Sequence, residues 1–227
     1  MTNISSGKKK IKNNSFKNTK KASTSKQMIS YEKKEHWKGG TLLAPIPPAL
    51  VTVGTMENPN VLTIGWTGIL NTIPPKTYIS VRKERHSYQM LMDTREFVIN
   101  LPSANLVKAV DFCGVRSGKD INKFKETNLN PARCPNVSAP LILECPLHLE
   151  CKVTDTVDLG SHTMFLADIV GCVVAEECIN QDGKLEIEKC NLLAYAHGAY
   201  FSLGKQLGTF GYSVKKKKTK RKNSQQR

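Results

Sequence analysis

Residues 60–88 leave this chain little freedom in secondary structure. Two β-type runs, residues 61–66 and 77–82, flank a turn built on Pro74 and Pro75. Proline presets the backbone for such a turn. The first run mixes β-branched and apolar residues and ends in Gly65-Trp66-Thr67-Gly68. The second alternates, then delivers Arg82, Lys83, Arg85 and His86 together. Glycines let a main chain approach a flat ring, and clustered cations meet a phosphate. A flat, phosphorylated ligand would need both. The same residues also fit a hairpin with a solvated, charged loop.

The rest of the chain has a similar texture. Residues 42–49 are held extended by their prolines. Further β-type runs cover residues 50–55, 96–101, 147–157 and 162–178, the last bent at Gly171. Residues 57–60 read as a turn, and 183–193 as a turn with a shorter strand. Helical spacing marks three short helices, residues 86–95, 103–113 and 121–127, with Ser103 and Asp120 as caps for the second and third. Strands do not alternate with long helices, and neither Gly-x-Gly-x-x-Gly nor a P-loop motif occurs. The expected class is mainly β with short helices, a barrel or sandwich with helical insertions.

The net charge of +15 is concentrated at the ends. Residues 1–38 carry +9 and residues 215–227 carry +8, which leaves −2 for the body. A nucleic-acid reading therefore attaches only to the tails, as loose association that salt would weaken. The expected domains are a disordered basic tail over 1–38, a folded domain over 39–212 and a second tail over 213–227. The start lacks an apolar signal region, and no window reaches a membrane span of about 18 apolar residues. Seven cysteines, none in a Cys-x-x-Cys pair, suit free thiols in a reducing cytoplasm. On a strand, His148 and Glu150 face one side and Cys151 the other, so no metal site is expected there. Cys113 is expected to be a buried, inert thiol.

Taken in order, segments 60–68, Pro74-Pro75, 80–88, 97–101, 117–124 and 160–165 resemble the flavin reductase-like proteins. Within them the chain is most similar to the flavoredoxin subgroup, over about residues 40–205. The resemblance implies a homodimer of FMN-binding split β-barrels, with one FMN near each subunit interface. Thr63, Gly65, Trp66, Thr67 and Gly68 would run along the isoalloxazine and bond its pyrimidine edge through the main chain. Ser80, Val81 and Arg82 would lie beside the ring or ribityl chain. Arg82, Lys83 and Arg85 would meet the phosphate, with hydroxyls from Ser87 and Tyr88. Asn100 would touch the flavin from the third strand. Ser117, Gly118, Lys119 and Lys123 would close the phosphate end. His162 would stand where a nicotinamide stacks.

The activity that this resemblance implies is that of an oxidoreductase. Hydride would be taken from NAD(P)H and passed through FMN to free flavin or a partner protein. FMN carries that chemistry, so no protein nucleophile or acid–base pair is expected. The alternative is an electron carrier or binding module without NAD(P)H activity, tethered to polyanions by its tails. Individual residues keep plainer readings. Trp66 equally suits core packing, Asn100 a strand-to-strand bond, His162 a structural role, and Lys119 and Lys123 a helix surface.

Overall fold

The computed structural model describes residues 33–215. These divide into two units, and residues 33–41 belong to the first. They hold no strand. The disorder expected of residues 1–32 and 216–227 lies outside the described residues.

The second unit is built on antiparallel strands. In chain order they are β1 (Ala49–Gly54), β2 (Pro59–Ile64), β3 (Thr67–Thr72), β4 (Pro75–Arg82), β5 (Glu96–Leu101), β6 (Pro131–Ala132), β7 (Leu141–Ile142), β8 (Leu147–Asp158), β9 (His162–Val174), β10 (Leu193–Ala196) and β11 (Ala199–Ser202). Seven form one sheet in the order β2-β1-β5-β8-β9-β4-β3. The sheet must close on itself. Its edges, β2 and β3, are separated in the chain only by Gly65 and Trp66. Three Cα steps span at most about 11 Å, so the two edges meet there. The β3–β4 ladder runs on into this corner, where the Ser80 N–H donates to the Trp66 carbonyl at 2.9 Å.

Side chains alternate across this curved sheet. Val51, Val53, Ile79, Val81, Phe97, Ile99 and Phe165 fill the interior. Helix α1 (Ser87–Thr94) adds Leu91 to that core. Every residue of β1 is buried because its other face is covered too. Leu50 and Val61 pack outward against Val110 and Cys113 of α2 (Val107–Val115) and Phe124 of α3 (Lys123–Thr127).

Several boundaries differ from expectation. The run at 61–66 stops at Ile64, Pro59 and Asn60 already belong to β2, and residues 67–72 are a separate strand. Strand β3 is polar or exposed along much of its length, so no burial pattern marks it. Ser103 makes no side-chain cap and leads into a 3-10 turn, Ala104–Leu106. Asp120 is not the cap of α3. Asn122 is, accepting from the Lys125 N–H at 3.1 Å. Strand β9 bulges beside Gly171, where Glu150 and Cys151 pair with Gly171 and Ile169. Residues 187–190 form a 3-10 turn, and residues 193–202 form the unforeseen hairpin β10–β11.

Candidate functional site

Three adjoining cavities lie around the seam. The central one, about 420 Å³, is walled by Thr63, Gly65, Trp66, Ser80, Arg82 and His162. A narrower one of about 200 Å³ shares Arg82 and Arg85 with it and adds Asn60, Arg116, Gly118 and Lys123. A third, about 350 Å³, shares Thr63, Gly65 and Trp66 and adds Ile46, Asp111, Tyr195 and Tyr200. Together they form one trench with a cationic end and an aromatic end.

Local structure explains these positions. On β4, Thr77, Ile79 and Val81 bury inward. The alternate residues Ser80 and Arg82 therefore face the trench. Strand β2 has a neighbour on one side only. On its open side, Lys123 Nζ donates to the Val61 carbonyl at 2.8 Å. Backbone polar groups alternate along a strand, so the N–H and C=O of Thr63 stand on that same open edge. At the corner Gly65 leaves room for Ile46: a Cβ there would lie 2.7 Å from Ile46 Cδ1, so that side chain would have to move.

At the cationic end, Arg82 pairs with Glu84 at 3.1 Å. Arg85 Nη1 donates to the Gly114 carbonyl at 3.1 Å. Ser87 is buried, and its Oγ accepts from Asn60 Nδ2 at 2.7 Å. Lys123 is only 4% exposed, with no carboxylate partner among the described residues. Its ammonium donates to the carbonyls of Val61 and Cys113, both at 2.8 Å. Burial brings it down to about 8, and Arg85 acts in the same direction. Burial also pushes the Cys113 thiol up to about 11, as suits an unreactive thiol.

The aromatic end is made by the hairpin. Tyr195 and Tyr200 face each other across β10 and β11 with ring centroids 5.3 Å apart. Tyr200 donates to Asp111 Oδ1 at 3.1 Å. Burial and that carboxylate push the phenol up to about 12. Trp66, 40% exposed, lines both the central cavity and this one, so it is not core packing.

The trench gathers Thr63, Gly65, Trp66, Ser80, Val81, Arg82, Arg85, Ser87, Ser117, Gly118, Lys123 and His162. Other expected residues lie elsewhere. Thr67 and Gly68 have turned into β3, where Thr67 Oγ1 donates to the Tyr78 carbonyl at 2.6 Å. Tyr88 points into the barrel, its hydroxyl 3.0 Å from Thr163 Oγ1 and its ring edge against Phe165. Lys83 is taken by Asp158 at 2.6 Å. Lys119 is exposed, and only its backbone N–H bonds locally, to Ser117 Oγ.

Asn100 is the clearest correction. It is fully buried and faces no cavity of the trench. Its amide donates to the Leu50 carbonyl at 2.9 Å and accepts from the Ile142 N–H at 2.9 Å. His148 Nδ1 meets Asn100 Oδ1 at 2.8 Å, and burial brings His148 down to about 4. Glu150 accepts from the Asn136 N–H at 2.8 Å, and Cys151 joins the barrel core.

Asn60, Arg116, Asp111, Tyr195 and Tyr200 were not expected in the site. The structure joins the two tyrosines by a two-residue hairpin turn at His197 and Gly198, both with positive φ; in the sequence only the glycine of that pair marks the turn.

Residues 43–204 match the family of the flavin reductase like domain. The chain belongs to the flavin reductase-like family. A protein of Archaeoglobus fulgidus is 30% identical over 160 residues, which are 70% of this chain and 89% of that relative. The flavoredoxin of Desulfovibrio vulgaris (Miyazaki F) superposes with a TM-score of 0.75 at 29% identity, covering 80% of this chain and all of that one. A Shewanella frigidimarina flavin reductase-type structure with a split barrel domain matches at a TM-score of 0.66 and 21% identity, covering 74% of this chain and 86% of that one. The curled seven-stranded sheet is thus the split barrel of the family. Among the described residues, no helix is long and apolar enough to cross a membrane.

Proposed function

We propose that the trench holds FMN and that the protein is an FMN-dependent oxidoreductase using NAD(P)H. The observation that carries this is the polarity of the trench along its length. One end gathers Arg82, Arg85, Arg116 and Lys123 with the hydroxyls of Ser87 and Ser117. That donor set suits a phosphate monoester of nearly two negative charges. Next to it, the open edge at Thr63 offers a main-chain N–H and C=O, which suits the alternating donors and acceptors of a pyrimidine ring. Trp66 and the glycine corner leave room for a planar group beside them. Bound FMN would supply the redox chemistry, accepting hydride from a nicotinamide and passing electrons on.

The chain's own part is to bind, orient and exclude water. Arg82 and Arg85 sit where both cavities meet and so fix the direction in which a phosphorylated ligand lies. His162 borders the same central cavity as Thr63, and its Nδ1 is 2.9 Å from Ser161 Oγ. It is the side chain we assign to the nicotinamide side.

The exposed apolar residues of β3, Ile69 and Leu70, support a homodimer that covers them. A second reading, favoured by the likeness to a flavoredoxin, is a carrier that keeps its FMN and is reduced by a protein partner. One experiment separates the readings. The purified protein is reconstituted with FMN, and its visible flavin absorption is followed anaerobically as NADH or NADPH is added. Bands that bleach establish the oxidoreductase. Bands that persist establish the carrier. A protein that takes up no FMN refutes both.

A further inference from the structure

The aromatic end of the trench differs in chemistry from the rest. Its cavity, about 350 Å³, carries three aromatic side chains, Trp66, Tyr195 and Tyr200, and one carboxylate, Asp111. Small-molecule pockets start at about 300 Å³, so a compact organic ligand has room here. Among the described residues, no Lys or Arg lines this cavity. Arg85 bonds the Gly114 carbonyl but lines the other two cavities instead. Asp111 forms no ion pair among the described residues. Its side chain accepts from the Tyr200 hydroxyl at 3.1 Å. Burial and that carboxylate keep the phenol protonated well past neutral pH, so the charge of this wall is the one on Asp111. The planes of Tyr195 and Tyr200 stand 60° apart, and the two rings offer surface in two directions.

We propose that this cavity binds a small organic cation whose charge sits on an alkylated nitrogen, such as a trimethylammonium group. The face of an aromatic ring is electron-rich and attracts a cation held within about 6 Å of its centroid. An alkylated nitrogen has no N–H to satisfy, and its methyl groups suit the apolar wall of Ile46, Pro48 and Val115. A primary ammonium would need acceptors for three N–H groups, and the carboxylate here is already engaged by Tyr200. An anion would meet Asp111 with no cation to offset it. The two ends of the trench therefore sort ligands by charge, phosphate toward Arg82 and Lys123, organic cation toward Asp111.

This cavity shares Thr63, Gly65 and Trp66 with the central one, so a cation bound here lies beside the place assigned to FMN and not within it. Its binding needs no flavin, and the two assignments can fail separately.

The test uses the purified full chain without flavin. Calorimetry measures the binding of choline and of 3,3-dimethyl-1-butanol, its neutral carbon isostere, at matched ionic strength. Choline should bind at least about fivefold more tightly than the isostere. Tyr195→Leu and Trp66→Leu should each weaken choline by about tenfold. Asp111→Asn keeps the shape of an exposed side chain, so folding is not at stake. It should weaken choline about two- to fivefold and leave the isostere unchanged. Choline should still bind after FMN is added. Equal affinity for choline and the isostere would reduce the cavity to an apolar pocket and overturn the proposal. So would the absence of choline binding, or benzoate binding more tightly than choline. Complete loss of choline binding once FMN is bound would assign the aromatic end to the flavin and overturn it as well.

Discussion

Lys123 shows how much one buried charge can decide. Two carbonyls hold it, so its ammonium is solvated by the protein but not neutralised. A phosphate arriving beside it would favour the charged form. Its folded value of about 8 lies below the ordinary 10.5, so the proton is already being lost in mildly alkaline solution. FMN affinity should therefore fall as pH rises through about 8, by up to about tenfold per pH unit while this group titrates. Calorimetry at several pH values checks this, and Lys123→Met should weaken binding at pH 7 and flatten the profile. The apo protein should show the opposite trend in stability. Between about 8 and 10.5 the unfolded chain holds more protons, so the penalty of the buried ammonium shrinks as pH rises. His148 works at the acid end. Its folded value is about 4 against an ordinary 6.5, so it is neutral in the barrel and the unfolded chain protonates first. Its contribution, on the order of 3 kcal/mol, is present above about pH 6.5 and lost as pH falls toward 4. Urea midpoints at pH 7 and pH 4.5 measure it, and equal midpoints would remove His148 from the account.

At the scale of elements, the loop after α2 is locked to the start of β2. A Cβ on Gly118 would collide with the Asn60 amide, the group that holds Ser87. Gly118→Ala should cost about 1–3 kcal/mol of stability and loosen phosphate binding, because Asn60 and Ser87 must move together. A thermal melt with and without FMN tests both parts, and an unchanged ligand-induced shift would detach this loop from the site. The sequence announces elements where burial imposes a period. Strand β5 shows its full extent, Glu96–Leu101, because it is buried along most of its length and Pro102 follows. Strand β3 has no such mark, since an exposed edge imposes no pattern. The site behaves alike. Arg82, Arg85 and Gly65 are legible because charge and glycine advertise their use. Asn100 misleads because a buried polar group and a surface one look the same until the fold supplies partners. Tyr195 and Tyr200 reach the trench only through a hairpin that four-residue strands scarcely signal.

For the whole molecule, the seam that closes the barrel also leaves it incomplete. Strand β3, like β2, is an open edge of the sheet, with a neighbouring strand on one side only. It exposes Ile69 at 65% and Leu70 at 48%, and Ile73 in the following turn is exposed at 89%. An apolar open edge invites pairing, and a second copy of the chain is the partner always present at matching concentration. The chain enters β3 directly from Trp66, so whatever covers this edge also approaches the trench. Dimer formation and FMN binding should then reinforce each other by mass action, since a ligand held better by the dimer stabilises it. Ile69→Lys combined with Ile73→Lys places two charges on that surface and leaves the interior untouched. Light scattering should show a dimer for the wild type and a monomer for the variant, with FMN bound at least about tenfold more weakly, roughly 1.4 kcal/mol. A variant that becomes monomeric yet binds FMN as tightly as before would mean that each barrel completes its own trench. A wild type that is monomeric even when loaded would leave the apolar edge to some other partner.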